Sequence, residues 1–309
     1  MANETKRRPK EGWRQLNFRT IICLPTPKCA AIFFTLLFIF SLVLTAIILS
    51  LSYQILEKTS DVIQFTGDTN YSKGKVTIDL TSDDLDKIKG PLFIYIETSD
   101  YYQNHRIYLK SKSKDQMSGN SASSLSTDCE PLVKEGNLNI DFGVYDKNRY
   151  IVPCGLMPAS FINTTVQLEV NGNNVEIDSD GISWKNDNSD LYTTQESEYL
   201  DITDEHFKVW MRNSPTSILR KLYGKVEEKY IKEGELKFNI EMFKNYLEYS
   251  SDKRIIVTTT TRIGGKNTVL GWTYFVICIF SLFWAIFFGI MIKYHKVPNI
   301  KDVFKKFST

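Results

Sequence analysis

Two long runs of uncharged, apolar residues constrain this chain more than anything else in it. Residues 30–52 (AAIFFTLLFIFSLVLTAIILSLS) hold 23 positions without a charge, and residues 268–292 (TVLGWTYFVICIFSLFWAIFFGIMI) hold 25. A helix needs about 20 such residues to cross about 30 Å of hydrocarbon. Each run therefore predicts a transmembrane helix. The mean hydropathy of −0.22 over 309 residues hides them, because a long polar middle offsets the two runs. That middle, residues 53–267, is long enough for one domain with its own core.

Charge divides the chain at the same places. Before the first run lie Lys6, Arg7, Arg8, Lys10, Arg14, Arg19 and Lys28 against Glu4 and Glu11, a net of +5. After the second lie Lys293, Lys296, Lys301, Lys305 and Lys306 against Asp302, a net of +4. The middle carries 26 basic and 33 acidic residues, a net of −7. Basic flanks are retained on the cytoplasmic side of a membrane. The expected organisation is a basic cytosolic tail (1–29), a first span (30–52), an exoplasmic domain (53–267), a second span (268–292) and a basic cytosolic tail (293–309). The first run exceeds the apolar core of a cleavable signal, and no small-residue cleavage site follows it, so it reads as a signal anchor.

Cysteines and glycosylation sequons fit that topology. Cys129 and Cys154 alone fall in the exoplasmic stretch. Such a pair in an oxidising compartment reads as a disulfide, the alternative being two buried thiols. The sequons Asn70-Tyr-Ser and Asn163-Thr-Thr lie in the same stretch and are expected to carry glycans, whereas Asn3-Glu-Thr falls on the cytosolic side. Cys23 and Cys29 flank the first span as acylation sites or as plain thiols. Cys278, inside the second span, reads as a small packing residue.

The middle is patterned mainly as β-structure. Val76, Ile78 and Leu80 alternate, as do Val166, Leu168 and Val170, and Leu236, Phe238 and Ile240. Period two marks a strand with one buried face. LFIYIE (92–97) and the β-branched RIIVTTTT (254–261) add two more strands. Asn171-Gly172 predicts a hairpin turn, with Val175 and Ile177 on the return strand. The Ser-rich stretch 111–128 and the polar stretch 178–195 read as surface loops. Pro215 followed by Ile218, Leu219 and Leu222 predicts a short helix within 215–232.

Chemistry-bearing motifs are missing. His105 and His206 are the only histidines in the middle, and neither has a metal-ligand spacing; there is no HExxH, CxxC or GxSxG. Gly264-Gly265-Lys266-Asn267 fails as a phosphate loop, since Thr260 stands where its first glycine belongs and Asn267 follows the lysine. Neither span holds an ionisable side chain. This excludes a self-contained transporter path. The residues thus point to a non-enzymatic membrane glycoprotein with no cofactor, no metal and no nucleic-acid partner. Gly271 and Gly289 are places where a helix can be approached closely. Two other classes compete: a two-span ligand-gated channel subunit, whose ectodomain is ordinarily cysteine-dense, and a membrane-tethered hydrolase using some of the many carboxylates.

Several blocks resemble one known family. Tyr101-Tyr102-Gln103-Asn104-His105-Arg106, with Tyr108-Leu109-Lys110-Ser111 after it, is similar to the YYQNHR segment of the cell-division-cycle protein fifty family, the β subunits of type IV P-type ATPases. Cys129-Glu130-Pro131 and Pro153-Cys154-Gly155 resemble its cysteine segments, and Phe161-Ile162-Asn163-Thr164-Thr165 its glycosylated one. Phe207 to Arg212, Arg220 to Gly224 and Gly264 to Gly271 resemble three further blocks in the family's order. Residues 53–100 lack the additional cysteines common in the family.

The resemblance implies a membrane protein of two transmembrane α-helices flanking a mainly antiparallel β exoplasmic domain with short helices. It implies a non-catalytic subunit that pairs with a type IV P-type ATPase α subunit as a heterodimer, contacts membrane lipids and lets the pump leave the endoplasmic reticulum for Golgi, endosome or plasma membrane. Aromatic residues and arginine are enriched at binding hot spots. On that ground Tyr101, Tyr102, His105, Arg106, Phe207, Trp210, Met211 and Arg212 are the candidates for the partner interface, with Trp210 read equally as a core residue and Tyr101, Tyr102, His105 and Arg106 as groups that either meet the partner or fix the ectodomain's own fold.

Overall fold

The computed structural model describes residues 26–68, 71–120, 125–137, 147–187, 191–193, 200–243, 251–262 and 264–294. The chain divides into two compact units, one made of its two ends and one running from Leu51 to Lys266. Asn70 lies outside the described residues.

The end unit consists of two helices, Pro27–Tyr53 and Thr268–Tyr294, each of 27 residues. At 1.5 Å per residue each is about 40 Å long, enough for the hydrocarbon core and part of the headgroup layers. Most of their large side chains, among them Phe33, Leu36, Phe40, Ile279 and Phe283, are exposed, as lipid-facing residues are. Small and aromatic residues hold the pair together. Phe34 stacks on Trp284 and Phe288 at 6.1 and 5.8 Å between centroids. Ser41, Cys278 and Ser281 are buried. Gly271 sits directly against the Leu49 side chain, where a Cβ would collide. Gly289 meets nothing, so the two glycines singled out in the sequence part ways.

In the second unit the described strands form two antiparallel sheets. They are β1 (Glu57–Thr59), β2 (Phe65–Asp68), β3 (Tyr71–Leu80), β4 (Leu92–Thr98), β5 (Thr164–Val170), β6 (Asn173–Val175), β7 (Leu219–Val226), β8 (Gly234–Phe243) and β9 (Lys253–Thr258). One sheet has the order β1-β9-β4-β7, the other β2-β3-β8-β5-β6. Apolar residues of both sheets, including Ile78, Leu92, Ile94, Leu168, Phe238 and Val257, form one buried cluster. Strand β3 shows the physical basis: its Val76, Ile78 and Leu80 are buried while the residues between them are exposed. Asn171 and Gly172 make the β5–β6 turn with φ of 50° and 84°, the handedness a two-residue hairpin requires.

Two expectations are overturned. Residues 219–226 form strand β7 rather than a helix. In its pairing with β4, Ile94 faces Gly224 and Tyr95 faces Leu222, so Tyr223 is an extra, bulged residue. Leu219 is buried and Leu222, three positions on, is half-buried on the opposite face of the strand, so apolar residues on two faces imitate helical spacing in the sequence. The Ser-rich stretch 111–128 is not a plain surface loop. It contains short helices at Lys114–Met117 and Leu125–Asp128, and Ser111, Ser113, Gln116 and Met117 are buried.

Candidate functional site

Three of the resembling blocks come together in space. Tyr101, Tyr108, Met157, Phe161, Phe207, Trp210, Met211 and Leu219 share a second buried cluster. Its rings meet edge to face: Tyr101 with Trp210 at 5.6 Å, Tyr101 with Tyr108 at 6.0 Å and Phe161 with Phe207 at 5.5 Å. This arrangement suits the positive edge and negative face of aromatic rings. Buried polar tips find partners. The Trp210 indole donates to the Met157 carbonyl at 3.3 Å, and the Tyr108 hydroxyl lies 2.7 Å from Ser160 Oγ. Burial raises the pKa of the Tyr108 phenol. Gln103, fully buried, accepts from the Ser214 amide through its Oε1 at 3.0 Å, tying the first block to residues 213–218.

This geometry separates the buried interface candidates from the exposed ones. Tyr101, Phe207, Trp210 and Met211 are core residues of the ectodomain, each at most 5% exposed. Residue type alone cannot separate a hot spot from a core position, because both favour large aromatics. Tyr102, His105 and Arg106 lie on the surface. Tyr102 is 57% exposed, Ile107 56% and Ile218 51%, and the Tyr101 amide donates to the Ser217 carbonyl beside them. Arg212 is intermediate. It forms a bidentate pair with the buried Asp187 carboxylate, at 3.0 and 2.5 Å, and lies 4.2 Å over the exposed Trp184 ring.

The helix Glu205–Trp210 that carries Phe207 and Trp210 is fixed at both ends. Asp204 caps its start by accepting from the His206 amide at 2.9 Å. His206 Nδ1 lies 3.1 Å from the same carboxylate, and its Nε2 lies 2.8 Å from the Tyr223 carbonyl. Burial opposes a charge on His206, but the Asp204 carboxylate and the Tyr223 carbonyl outweigh it and raise its pKa. Asp204 is likewise opposed by burial, and the hydrogen bonds from His206 hold its pKa below the usual carboxylate range. At the other end the Lys221 ammonium donates to the carbonyls of Val209, Trp210 and Arg212. Burial brings the Lys221 pKa down to about 7, while those three acceptors favour its charge.

A third cluster surrounds a disulfide between Cys129 and Cys154, whose Cα atoms are 5.5 Å apart. Two polar side chains brace it. Ser111 Oγ donates to the Cys129 carbonyl at 3.1 Å and accepts from the Leu156 amide at 2.8 Å. Gln116 accepts from the Cys154 amide at 2.8 Å and donates to the Ile151 carbonyl at 3.2 Å. Gly155, at φ 111°, lies against the Ser111 backbone, so a side chain there is excluded by both conformation and space. Ser111 closes the first resembling block, whereas the sequence carries no signal for Gln116, which sits in a run that looks like solvated loop. Asn163 is exposed immediately before β5.

Two apolar helices of membrane-crossing length, joined by a two-sheet antiparallel β domain with short helices, define a two-span membrane protein with a β-rich ectodomain. Residues 45–298 match the LEM3 (ligand-effect modulator 3) family / CDC50 family, and the chain belongs to that family. It is 29% identical over 224 residues to ALA-interacting subunit 3 of Arabidopsis thaliana, covering 66% of this chain and 60% of the relative. It is 27% identical over 274 residues to Cell cycle control protein 50A of Rattus norvegicus, covering 74% and 80%. It is 26% identical over 240 residues to the Phospholipid-transporting ATPase accessory subunit LEM3 of Saccharomyces cerevisiae, covering 67% and 56%. The chain spans about three-fifths of the length of the plant relatives it matches.

Proposed function

We propose that this chain is the non-catalytic β subunit of a type IV P-type ATPase that moves phospholipids between leaflets. The observation that carries the reading is the family match over residues 45–298, supported by the packing of three of the family's separate sequence blocks, around Tyr101, Phe161 and Trp210, into one buried cluster. On this reading residues 53–267 are exoplasmic, both tails are cytosolic and Asn163 bears a glycan. The pump partner hydrolyses ATP; this chain supplies contacts. Those contacts alter the pump's cycle only where they differ between its states. They also let the pump leave the endoplasmic reticulum. Tyr102, His105, Arg106 and Ile107 of the first block, with Ile218, are exposed and free to meet the partner.

Co-expression with a type IV ATPase tests this. The expected result is co-purification in mild detergent and movement of both chains to later membranes. Tyr102→Ala with Arg106→Ala is expected to weaken co-purification while leaving the thermal midpoint of the isolated chain unchanged. A chain that reaches the surface alone, with no ATPase attached, would sink the proposal. Homotrimers that conduct ions in bilayers would favour the channel class instead.

A further inference from the structure

Phe243 breaks the pattern of the strand that it ends. In β8 the residues Leu236, Phe238 and Ile240 are buried, and Lys237, Asn239 and Glu241 alternate with them on the face turned away from the core. Phe243 falls on that outer face and is 41% exposed. Its neighbours there on the adjoining strands, Lys73 and Lys75 of β3 and Thr165 and Gln167 of β5, are polar and exposed. The core gains nothing from a phenylalanine in this position.

Strand register sets this ring beside the asparagine of a sequon. Met242 of β8 stands opposite Thr164 of β5. The Phe243 amide donates to the Asn163 carbonyl at 3.0 Å, so the ladder runs one residue further and Phe243 stands opposite Asn163. Opposite residues of an antiparallel pair share a face, with Cβ atoms about 5 Å apart. On its other side Phe243 stands opposite Tyr71 of β3. The two rings meet at 5.5 Å between centroids, tilted by 50°. Tyr71 is held in turn by Lys73, whose ammonium lies 5.1 Å from the ring centroid and pairs with Glu241 at 2.9 Å. Asn163, Phe243 and Tyr71 thus form one row across three strands, on the outer face and at one end of the five-stranded sheet.

We propose that this row seats the first N-acetylglucosamine of the Asn163 glycan, with the C–H face of the sugar on the Phe243 ring. The face of an aromatic ring carries negative charge density, and the axial hydrogens on one face of the sugar carry partial positive charge. The sugar begins at Asn163 Nδ2, within reach of a ring on the opposite residue. A sugar seated there covers the exposed phenylalanine and makes the glycan part of the fold. The inference rests on the reading of residues 53–267 as exoplasmic and of Asn163 as glycosylated, and it gives that glycan a contact within this chain.

The test uses the full chain from a glycosylating host, carrying Asn70→Gln so that Asn163 is the sole ectodomain sequon, with its occupancy read by mass spectrometry. The thermal midpoint is measured with the glycan intact, trimmed enzymatically to its first sugar, and removed whole by an amidase. Trimming is expected to leave the midpoint in place, and removal to lower it by about 2–4 °C, the shift of one weak contact in a domain of this size. Phe243→Ser should lower the midpoint of the glycosylated form and abolish the difference on removal. Phe243→Trp should keep that difference, and its indole emission should move to longer wavelength when the sugar goes. An equal loss on glycan removal in the parent and in Phe243→Ser overturns the proposal, and so does a parent indifferent to removal. An unoccupied Asn163 overturns the glycan reading and this inference with it. An occupied Asn163 without coupling to Phe243 overturns this inference alone.

Discussion

His206 shows how one side chain ties the ectodomain together. Both ring nitrogens face acceptors, a carboxylate on one side and a backbone carbonyl on the other, so the protonated ring satisfies both and the neutral ring only one. The folded-state pKa is raised. Its contribution is therefore complete below the unfolded value of about 6.5 and is lost as pH rises through the folded value. Asp204 has a lowered pKa, and its contribution is lost only as pH falls through that value, in the acid range. Between these limits the pair is fully formed. We expect the thermal midpoint of the full chain to fall between pH 5.5 and pH 8.5, and His206→Gln to flatten that dependence. A variant with an unchanged slope would remove His206 from the account. Residue-scale reading of the sequence saw His206 only as a histidine without ligand spacing. Nothing in its neighbours announced Tyr223, which comes from strand β7.

At the scale of elements, the bulge in β7 does the most. It turns Tyr223 out of the β4 pairing, and the Tyr223 hydroxyl accepts from the Val166 amide of β5, in the other sheet, at 2.9 Å. One extra residue thereby joins the two sheets through one side chain. Tyr223→Phe leaves the Val166 amide without that acceptor, which costs about 1–3 kcal/mol for a buried donor. Equilibrium denaturation is expected to show that loss with an unchanged denaturant slope, and a change near zero would mean that water replaces the hydroxyl. Strands β3, β5 and β8 were legible because each buries one face against the core and alternates cleanly. Strand β7 was not, because its apolar residues lie on two faces. Residues 111–128 were not either: their serines and glutamine are buried for hydrogen bonds around the disulfide, and composition cannot reveal a partner that lies elsewhere in the chain.

At the scale of the molecule, the two uncharged runs were enough to place the two long helices on either side of a β-rich middle. The location of an interaction face was not legible, since four of eight candidate residues are core. The disulfide belongs to this scale because it links segments 25 residues apart. In the chain-entropy picture, closing such a loop contributes about 3 kcal/mol. Replacing both cysteines by serine is expected to lower stability by that order. The loss should fall first on the packing of Leu132, Ile151 and Ala159, seen as earlier hydrogen exchange there than in β3 or β8. Uniform exchange across the ectodomain would contradict a local role.

The pairing of β1 with β9 sets an order of events during synthesis. Glu57 pairs with Thr258 and Thr59 with Ile256, so the first strand after one span is sealed by the last strand before the other. At about 5–20 residues per second, the ribosome needs on the order of 10–40 s to add the 201 residues separating Glu57 from Thr258. Throughout that interval β1 has no strand partner, and its sheet cannot close until the second span is about to be made. Because β9 pairs with β4 as well as β1, the whole of this sheet waits for the last strand before it can be completed.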